Sequence, residues 1–288
     1  MVKTMADFRN VLIATDLDGT FFGIRTRLVE RNLQAVERFK ALGGHFTAAT
    51  GRIRQNIIRS IPYHNDLFNA PLITANGAYI WDGKADRAVN KTAMDPVLVR
   101  DAVRYIHELH PNVGVRVSTE NGFLADVNHI PPALRSDIER MASIESVLLP
   151  VDEWETDGAQ WFKLVARGDA ADLAAIRPLV EARFGDALEY STSSPAYYEL
   201  QAKGCTKASA MRFVADRLAA ELGHPMLTVA VGDHENDLPM LRAADLSGSP
   251  ENALDAVKAA TRFHLCHCDD GAIADLIEKL AVHLGVKM

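Results

Sequence analysis

The sequence predicts an α/β fold: a parallel-sheet core interrupted by an inserted α/β segment. Three observations predict it. Short apolar runs alternate with helical patterns over the first eighty residues, the texture changes over about 82–188, and the alternation resumes near Tyr198. Strands separated by helices of this length need crossovers, and crossovers make parallel pairs.

Residues 11–15 form a continuous apolar run, the pattern of a strand covered on both faces. Over 28–42, Val29, Leu33, Val36 and Phe39 recur at the helical period, and Gly43-Gly44 stops the helix. A second strand over 45–49 runs into Thr50-Gly51-Arg52, with a helix following to about Arg59, and a third over 71–74 ends at Asn76-Gly77. Alternating strands over 114–118 and 161–166, with helical stretches between them, mark the inserted segment. Met211, Val214, Leu218 and Leu222 then share one face of a helix that Gly223 ends. The apolar strand 226–231 leads into Gly232-Asp233-His234-Glu235-Asn236-Asp237. The expected units are therefore 1–83 with 189–288, and 84–188 between them.

Composition excludes several classes. With 288 residues, 48% hydrophobic and 24% charged, the chain can bury a large core and is not disordered. A net charge of -7 without a Lys/Arg cluster argues against nucleic acid. No apolar run approaches the ~18 residues a membrane span needs, and residues 1–10 lack the apolar segment of a signal peptide. The expectation is a cytoplasmic monomer or small homo-oligomer. Cys205, Cys266 and Cys268 are too few and too odd in number for a disulfide framework. His264-Leu265-Cys266-His267-Cys268 carries soft ligand types, but its spacing is not that of a paired zinc site, and it reads as a metal-free strand end.

The chemistry begins at Asp16-Leu17-Asp18-Gly19-Thr20, directly after the first strand. Residues i and i+2 of an extended chain project to one side, so two carboxylates there crowd unless a cation intervenes. A surface turn is the plain alternative, but Phe21 and Phe22 follow instead of a polar return strand. Three strands end in polar residues, and open parallel sheets bind ligands beyond their carboxyl ends. A central first strand would gather Asp16, Asp18 and Asp233 around one crevice, a set of oxygen ligands suited to magnesium. Thr50 offers a hydroxyl, Gly51 an N–H, and the following helix its positive end, all suited to phosphate; a simple helix cap uses the same residues. Lys207 stands where a helix begins and opposes the helix dipole by ~0.3–1 kcal/mol. A bound phosphate would favour it, a solvated lysine is the alternative, and Lys203 competes for the role. Asp233 and Asp237 also suit N-terminal capping.

Together, Asp16-Leu17-Asp18-Gly19-Thr20, Ala49-Thr50-Gly51-Arg52, Asn76-Gly77-Ala78, Thr206-Lys207 and Gly232-Asp233-x-x-Asn236-Asp237-x-x-Met240 resemble the haloacid dehalogenase (HAD) superfamily of phosphatases, specifically its Cof-type branch, subclass IIB. The resemblance covers the outer segments as a Rossmann-like core and places the middle, by position and size, as that branch's α/β cap. It implies a magnesium-dependent phosphatase acting on a small phosphorylated metabolite, foremost a sugar phosphate, through an aspartyl-phosphate. On this resemblance Asp16 is the nucleophile and Asp18 the acid and base. The Asp16 carboxylate, the Asp18 carbonyl and Asp233 hold Mg2+. Thr50, Gly51, Arg52, Lys207 and Asn236 hold the phosphoryl group, Asp237 orients Lys207 or the metal shell, and Asn76 supports the site.

The chain departs from the branch in two places. Ser249-Pro250-Glu251-Asn252-Ala253 stands where members commonly carry a Gly-Asn-Ala turn, and Gln201-Ala202 stands where a hydrophobic or proline residue is usual. In the cap, Arg116, Trp161, Lys163 and Tyr197 are candidates to touch a substrate, with a cap-surface or core role the favoured reading of each. A phosphomutase shares the intermediate, and a sugar-phosphate sensor shares the pocket but has no use for a second acid. Dehalogenation gives Asp18 no leaving alcohol to protonate.

Overall fold

The structure, a computed structural model, describes residues 7–288; the first six residues of the opening segment and of the expected 1–83 unit lie outside the described residues. The chain first lays down β1 (Val11–Thr15), β2 (His45–Ala48), β3 (Leu72–Thr74), β4 (Tyr79–Asp82) and β5 (Arg87–Lys91). It then builds β6 (Gly114–Thr119), β7 (Gly122–Asp126), β8 (Glu145–Leu149), β9 (Trp161–Arg167), β10 (Leu188–Ser194) and β11 (Tyr197–Ala202). It closes with β12 (Leu227–Val231), β13 (Leu246–Ser249) and β14 (Phe263–His264).

The core sheet has the order β14-β13-β12-β1-β2, every pair parallel. A bridge between Ala49 and Ile73 attaches β3 beyond β2, and β3, β4 and β5 continue as antiparallel strands. β1 is central, and this is why it is apolar throughout. Val11 and Ile13 pack on one side with Phe39, Ile273 and Ile277, under helices Glu30–Ala41 and Ala272–Leu284. Leu12 and Ala14 pack on the other side with Met211, Val214 and Met240, under helices Lys207–Leu222 and Leu238–Ala243. Phe21 and Phe22 enter the first of these layers, with Phe21 at 5.8 Å from the Phe46 ring and Phe46 stacked on Phe68 at 5.6 Å. The segment after Gly19 is thus anchored in the core.

The second sheet has the order β10-β11-β9-β6-β7-β8. One face buries Val115, Val117, Leu164, Ala166, Tyr198 and Leu200 against helices Pro96–Leu109 and Ala170–Phe184. The opposite positions of the same strands carry Arg116, Lys163, Arg167, Tyr197, Glu199 and Gln201, with the buried Val165 among them. Antiparallel pairing puts Lys163 opposite Ser118 and Gln201, and Tyr197 opposite Arg167, so these residues share one face.

Backbone pairing corrects both expected boundaries. β5 lies beyond residue 83 yet pairs with β4 on the core side, and β10 and β11 lie beyond residue 188 yet pair within the second sheet. In each case a hairpin captures the strand after the expected limit, because antiparallel neighbours need only a short turn. Among the described residues no helix is long and apolar enough to cross a membrane.

Phe46 is fully buried between Phe21 and Phe68. Phe46→Ala is expected to lower unfolding free energy by about 3–5 kcal/mol, read from the midpoint of denaturant unfolding at unchanged slope.

Candidate active site

The ends of β1 and β12 meet because the two strands are parallel neighbours in register, Thr15 beside Val231. Asp16 N–H donates to the Val231 carbonyl at 2.8 Å, fixing the chain as it leaves the sheet. Gly19 then turns with φ +78°, and a Cβ there would lie 2.6 Å from Asp233 Oδ2, so both the backbone and the space require glycine. The Thr20 hydroxyl donates to Asp233 Oδ1 at 2.8 Å. On the other loop, Asp237 folds beneath Gly232, where a Cβ would meet its side chain at 2.4 Å. Asp237 Oδ2 accepts from Asp233 N–H at 3.0 Å and His234 N–H at 3.1 Å, holding the loop that carries Asp233.

Lys207 joins the two loops. Its Nζ donates to Asp16 Oδ1 at 2.6 Å and to Asp237 Oδ1 at 2.7 Å, and its side chain is wholly buried. Burial alone would lower the pKa of this ammonium, but the charges of Asp16 and Asp237 outweigh it and raise it. These carboxylates offset the unfavourable placement in the first helical turn, which Thr206 and Ser209 close with a reciprocal capping box. Lys203, the rival, is half exposed and faces Asp186 and Glu189.

Asp18 projects differently from Asp16. Its side chain is 54% exposed, and Arg52 grips it with Nε at 2.7 Å from Oδ2 and Nη2 on Oδ1. Thr50 is buried, its hydroxyl accepting from Arg52 N–H at 3.2 Å. Asp16, Asp18, Thr50, Gly51, Arg52, Asp233 and Asn236 line one cleft of about 640 Å³ between the core and the second sheet. Lys207 reaches the site from behind, through Asp16, and Asp237 is sealed beneath it. Asn76 stands to the side, with φ 54°, donating to Glu199 Oε2 and Gln201 Oε1 at 2.7 Å each.

Of the four cap candidates for substrate contact, Arg116, Lys163 and Tyr197 line the cleft, against the favoured reading of them as surface or core residues, and Trp161 packs in the second sheet's core. Lys163 Nζ donates to the Gly51 carbonyl at 2.8 Å and to Glu199 Oε1 at 2.7 Å, a buried bridge from the second sheet to the Thr50 loop. Burial lowers the Lys163 pKa, while the Lys163 charge leads the influences that hold Glu199 below the usual carboxylate range against burial. His234 Nδ1 lies 2.9 Å from the Thr192 carbonyl. Asn252 donates to the Gly19 carbonyl at 2.7 Å, so the unusual Ser249-to-Ala253 loop still reaches the first motif. Only the pairing of distant strands reveals these contacts.

Asp16, Asp233 and Asp237 each offer a carboxylate oxygen within 4.8 Å of the others. Burial first, then the neighbouring Asp237 charge, lifts the Asp233 carboxyl to about 7; burial also holds Asp16 well above the ordinary range despite Lys207. Such crowded, desolvated oxygens fit a hard divalent cation such as magnesium. Both Asp237 oxygens are occupied by protein donors, leaving Asp16 and Asp233 as the carboxylates open to it.

The family described as haloacid dehalogenase-like hydrolase matches residues 13–277. A 5-amino-6-(5-phospho-D-ribitylamino)uracil phosphatase, YcsE of Bacillus subtilis, is 28% identical over 88% of this chain and 88% of its own. The pyridoxal phosphate phosphatase YbhA of Escherichia coli is 24% identical over 92% of this chain and 97% of its own. The solved structure of the HAD subclass IIB sugar phosphatase BT4131 has the same fold, with TM-score 0.76 at 22% identity, covering 96% of this chain and 100% of that one.

Two outcomes follow for the isolated protein. Lys207→Met leaves two buried carboxylates without their cation and is expected to cost about 3–5 kcal/mol of stability, measured by denaturant unfolding. Because the folded-state pKa of Asp233 is raised, the metal-free protein loses stability as pH rises from its unfolded value near 3.8 through about 7. Protons leave the site over the same window, so apparent Mg2+ affinity, measured by calorimetry, should weaken by about tenfold per pH unit below 7.

Proposed function

The chain belongs to the haloacid dehalogenase-like hydrolases, and we propose that within them it is a phosphatase of small phosphorylated metabolites, most suited to a sugar phosphate, working through Asp16. The observation that carries this reading is the division between two carboxylates at one strand end. Asp16 is buried and fixed by Lys207, whereas Asp18, two residues on, stands half exposed at the cleft beside Arg52. This division suits one to take a phosphoryl group and the other to exchange protons.

In the first step an Asp16 carboxylate oxygen attacks phosphorus in line with the ester oxygen. The P–O ester bond breaks, and Asp18, released by Arg52 and protonated, gives its proton to the departing alkoxide. In the second step Asp18, now a carboxylate, takes a proton from water as that water attacks phosphorus; inorganic phosphate leaves and Asp16 is restored. The Thr50 and Gly51 turn, Asn236 and the Lys207 charge steady the transferring oxygens, and Asp237 keeps Lys207 aimed. Magnesium, held by the Asp16 and Asp233 carboxylates and the Asp18 carbonyl, would supply positive charge against the phosphoryl oxygens. The second sheet roofs the cleft, limiting water and selecting the leaving group. The activities for which the relatives are named support the metabolite class, and a cleft of about 640 Å³ suits a ligand of that size.

Phosphate release from p-nitrophenyl phosphate should require Mg2+, and Asp16→Asn should reduce it by at least about 10³-fold. Full activity of that variant would sink the assignment. Asp18→Asn should slow turnover by about 10²–10⁴-fold, and quenched single-turnover reactions should then show phosphate bound to protein. An isomerised sugar phosphate in place of free phosphate would favour a mutase.

A further inference from the structure

The roof of the cleft is more cationic than its floor requires. Three of the acids that line the cleft on the floor or beside it have their own cation: Asp16 has Lys207, Asp18 has Arg52, and Glu199 has Lys163, while Asp233 is one of the two carboxylates open to a metal. On the roof the balance reverses. Arg116, Arg140 and Arg167 surround one buried carboxylate, Asp137, three guanidinium groups to one acid.

That carboxylate is also unevenly used. Asp137 Oδ1 accepts from Arg140 Nη2 at 2.6 Å, Tyr197 Oη at 3.0 Å and Arg167 Nε at 3.4 Å, while Oδ2 accepts nothing. Arg116 Nε lies 3.8 Å from Oδ2, too far to bond, and is itself buried without a partner. Arg116 is only 13% exposed, with its guanidinium 4.5 Å from the centre of the Phe123 ring. Burial lowers its pKa, but arginine stays charged. A largely desolvated guanidinium with an unmet donor is costly unless an acceptor arrives. Arg116, Arg140, Phe123 and Tyr197 all line the same cleft as Asp16 and Asp18.

We infer that Arg116 and Arg140 form a second anion site on the roof, so the preferred substrate is a small phosphate monoester carrying a further anionic group, a carboxylate or a second phosphate. The inference rests on the phosphatase reading, which places the transferred phosphate at Asp16. The rings of Phe123 and Tyr197 lie against two of the guanidiniums, Arg116 and Arg167, and Arg116 Nε has no protein acceptor, so Arg116 keeps hydrogen-bonding capacity for an anion.

The test compares kcat/KM for 6-phosphogluconate against glucose 6-phosphate, and for fructose 1,6-bisphosphate against fructose 6-phosphate. The first pair reports a carboxylate and the second a phosphate. At least one ratio should exceed about tenfold in the unaltered protein, chiefly through KM, and fall by about tenfold in Arg140→Gln and in Arg116→Gln. Arg140 is exposed, so its replacement does not threaten the fold. A structural role alone would slow both members of a pair alike and leave the ratio standing. Ratios near one in the unaltered protein, or ratios untouched by both variants, would overturn the second site. If no ester is hydrolysed, the phosphatase reading fails separately, and calorimetric binding of the same four esters decides: affinity for the bis-anionic esters must drop in Arg140→Gln, and an unchanged affinity rejects the site.

Discussion

The buried ammonium of Lys207 between Asp16 and Asp237 is the interaction on which the rest of the site depends. Parallel strands deliver their following loops to one edge of a sheet, and here the loops after β1 and β12 are acidic. Without a shared cation those carboxylates would repel at close range in a medium that screens them poorly. The cation arrives from the start of a helix 191 residues beyond Asp16, so the floor of the site is complete only after the whole second sheet has been threaded. The dipole penalty of a lysine in a first helical turn is small beside two buried ion pairs.

A second buried network ties the roof to that floor. Lys163 reaches from β9 to the Gly51 carbonyl, Glu199 joins Lys163 to Asn76, and Gln201 accepts from Asn76 and donates to the Cys205 carbonyl. Asn76 can serve both sides because its left-handed backbone turns its amide toward the second sheet. The turn carrying Thr50 and Gly51 is therefore braced from above by residues of the cleft wall.

The strand ends and their polar residues were legible because each motif is local: an apolar run, a glycine at a forced turn, a carboxylate at a fixed offset. Lys207 was visible as a residue in the wrong place for a helix, and the resemblance offered Asp237 as its partner, but its bond to Asp16 was not legible, since Asp16 comes from an element 191 residues away. The boundary strands were missed for the opposite reason. Leu188–Ser194 and Tyr197–Ala202 follow a helix just as core strands do, and only hydrogen bonding to β9 assigns them to the roof. Arg116 and Tyr197 looked ordinary singly; their meaning lies in Asp137, which sits on a helix and shows no motif.

The roof sheet divides its residues by parity. Those at one set of alternate positions build its own apolar core with two helices, and those at the other set divide between the buried bridge of Lys163, Glu199 and Gln201 and residues such as Arg116 and Tyr197 that face the cleft without touching the floor. Selection can rewrite the cleft-facing residues outside that bridge while the apolar set keeps the domain folded, and the floor with its shared lysine need not change. Such an architecture lets duplicated copies of one gene drift toward different metabolites without passing through unfolded intermediates, so that the diversity of a lineage is written in every other residue of a few strands.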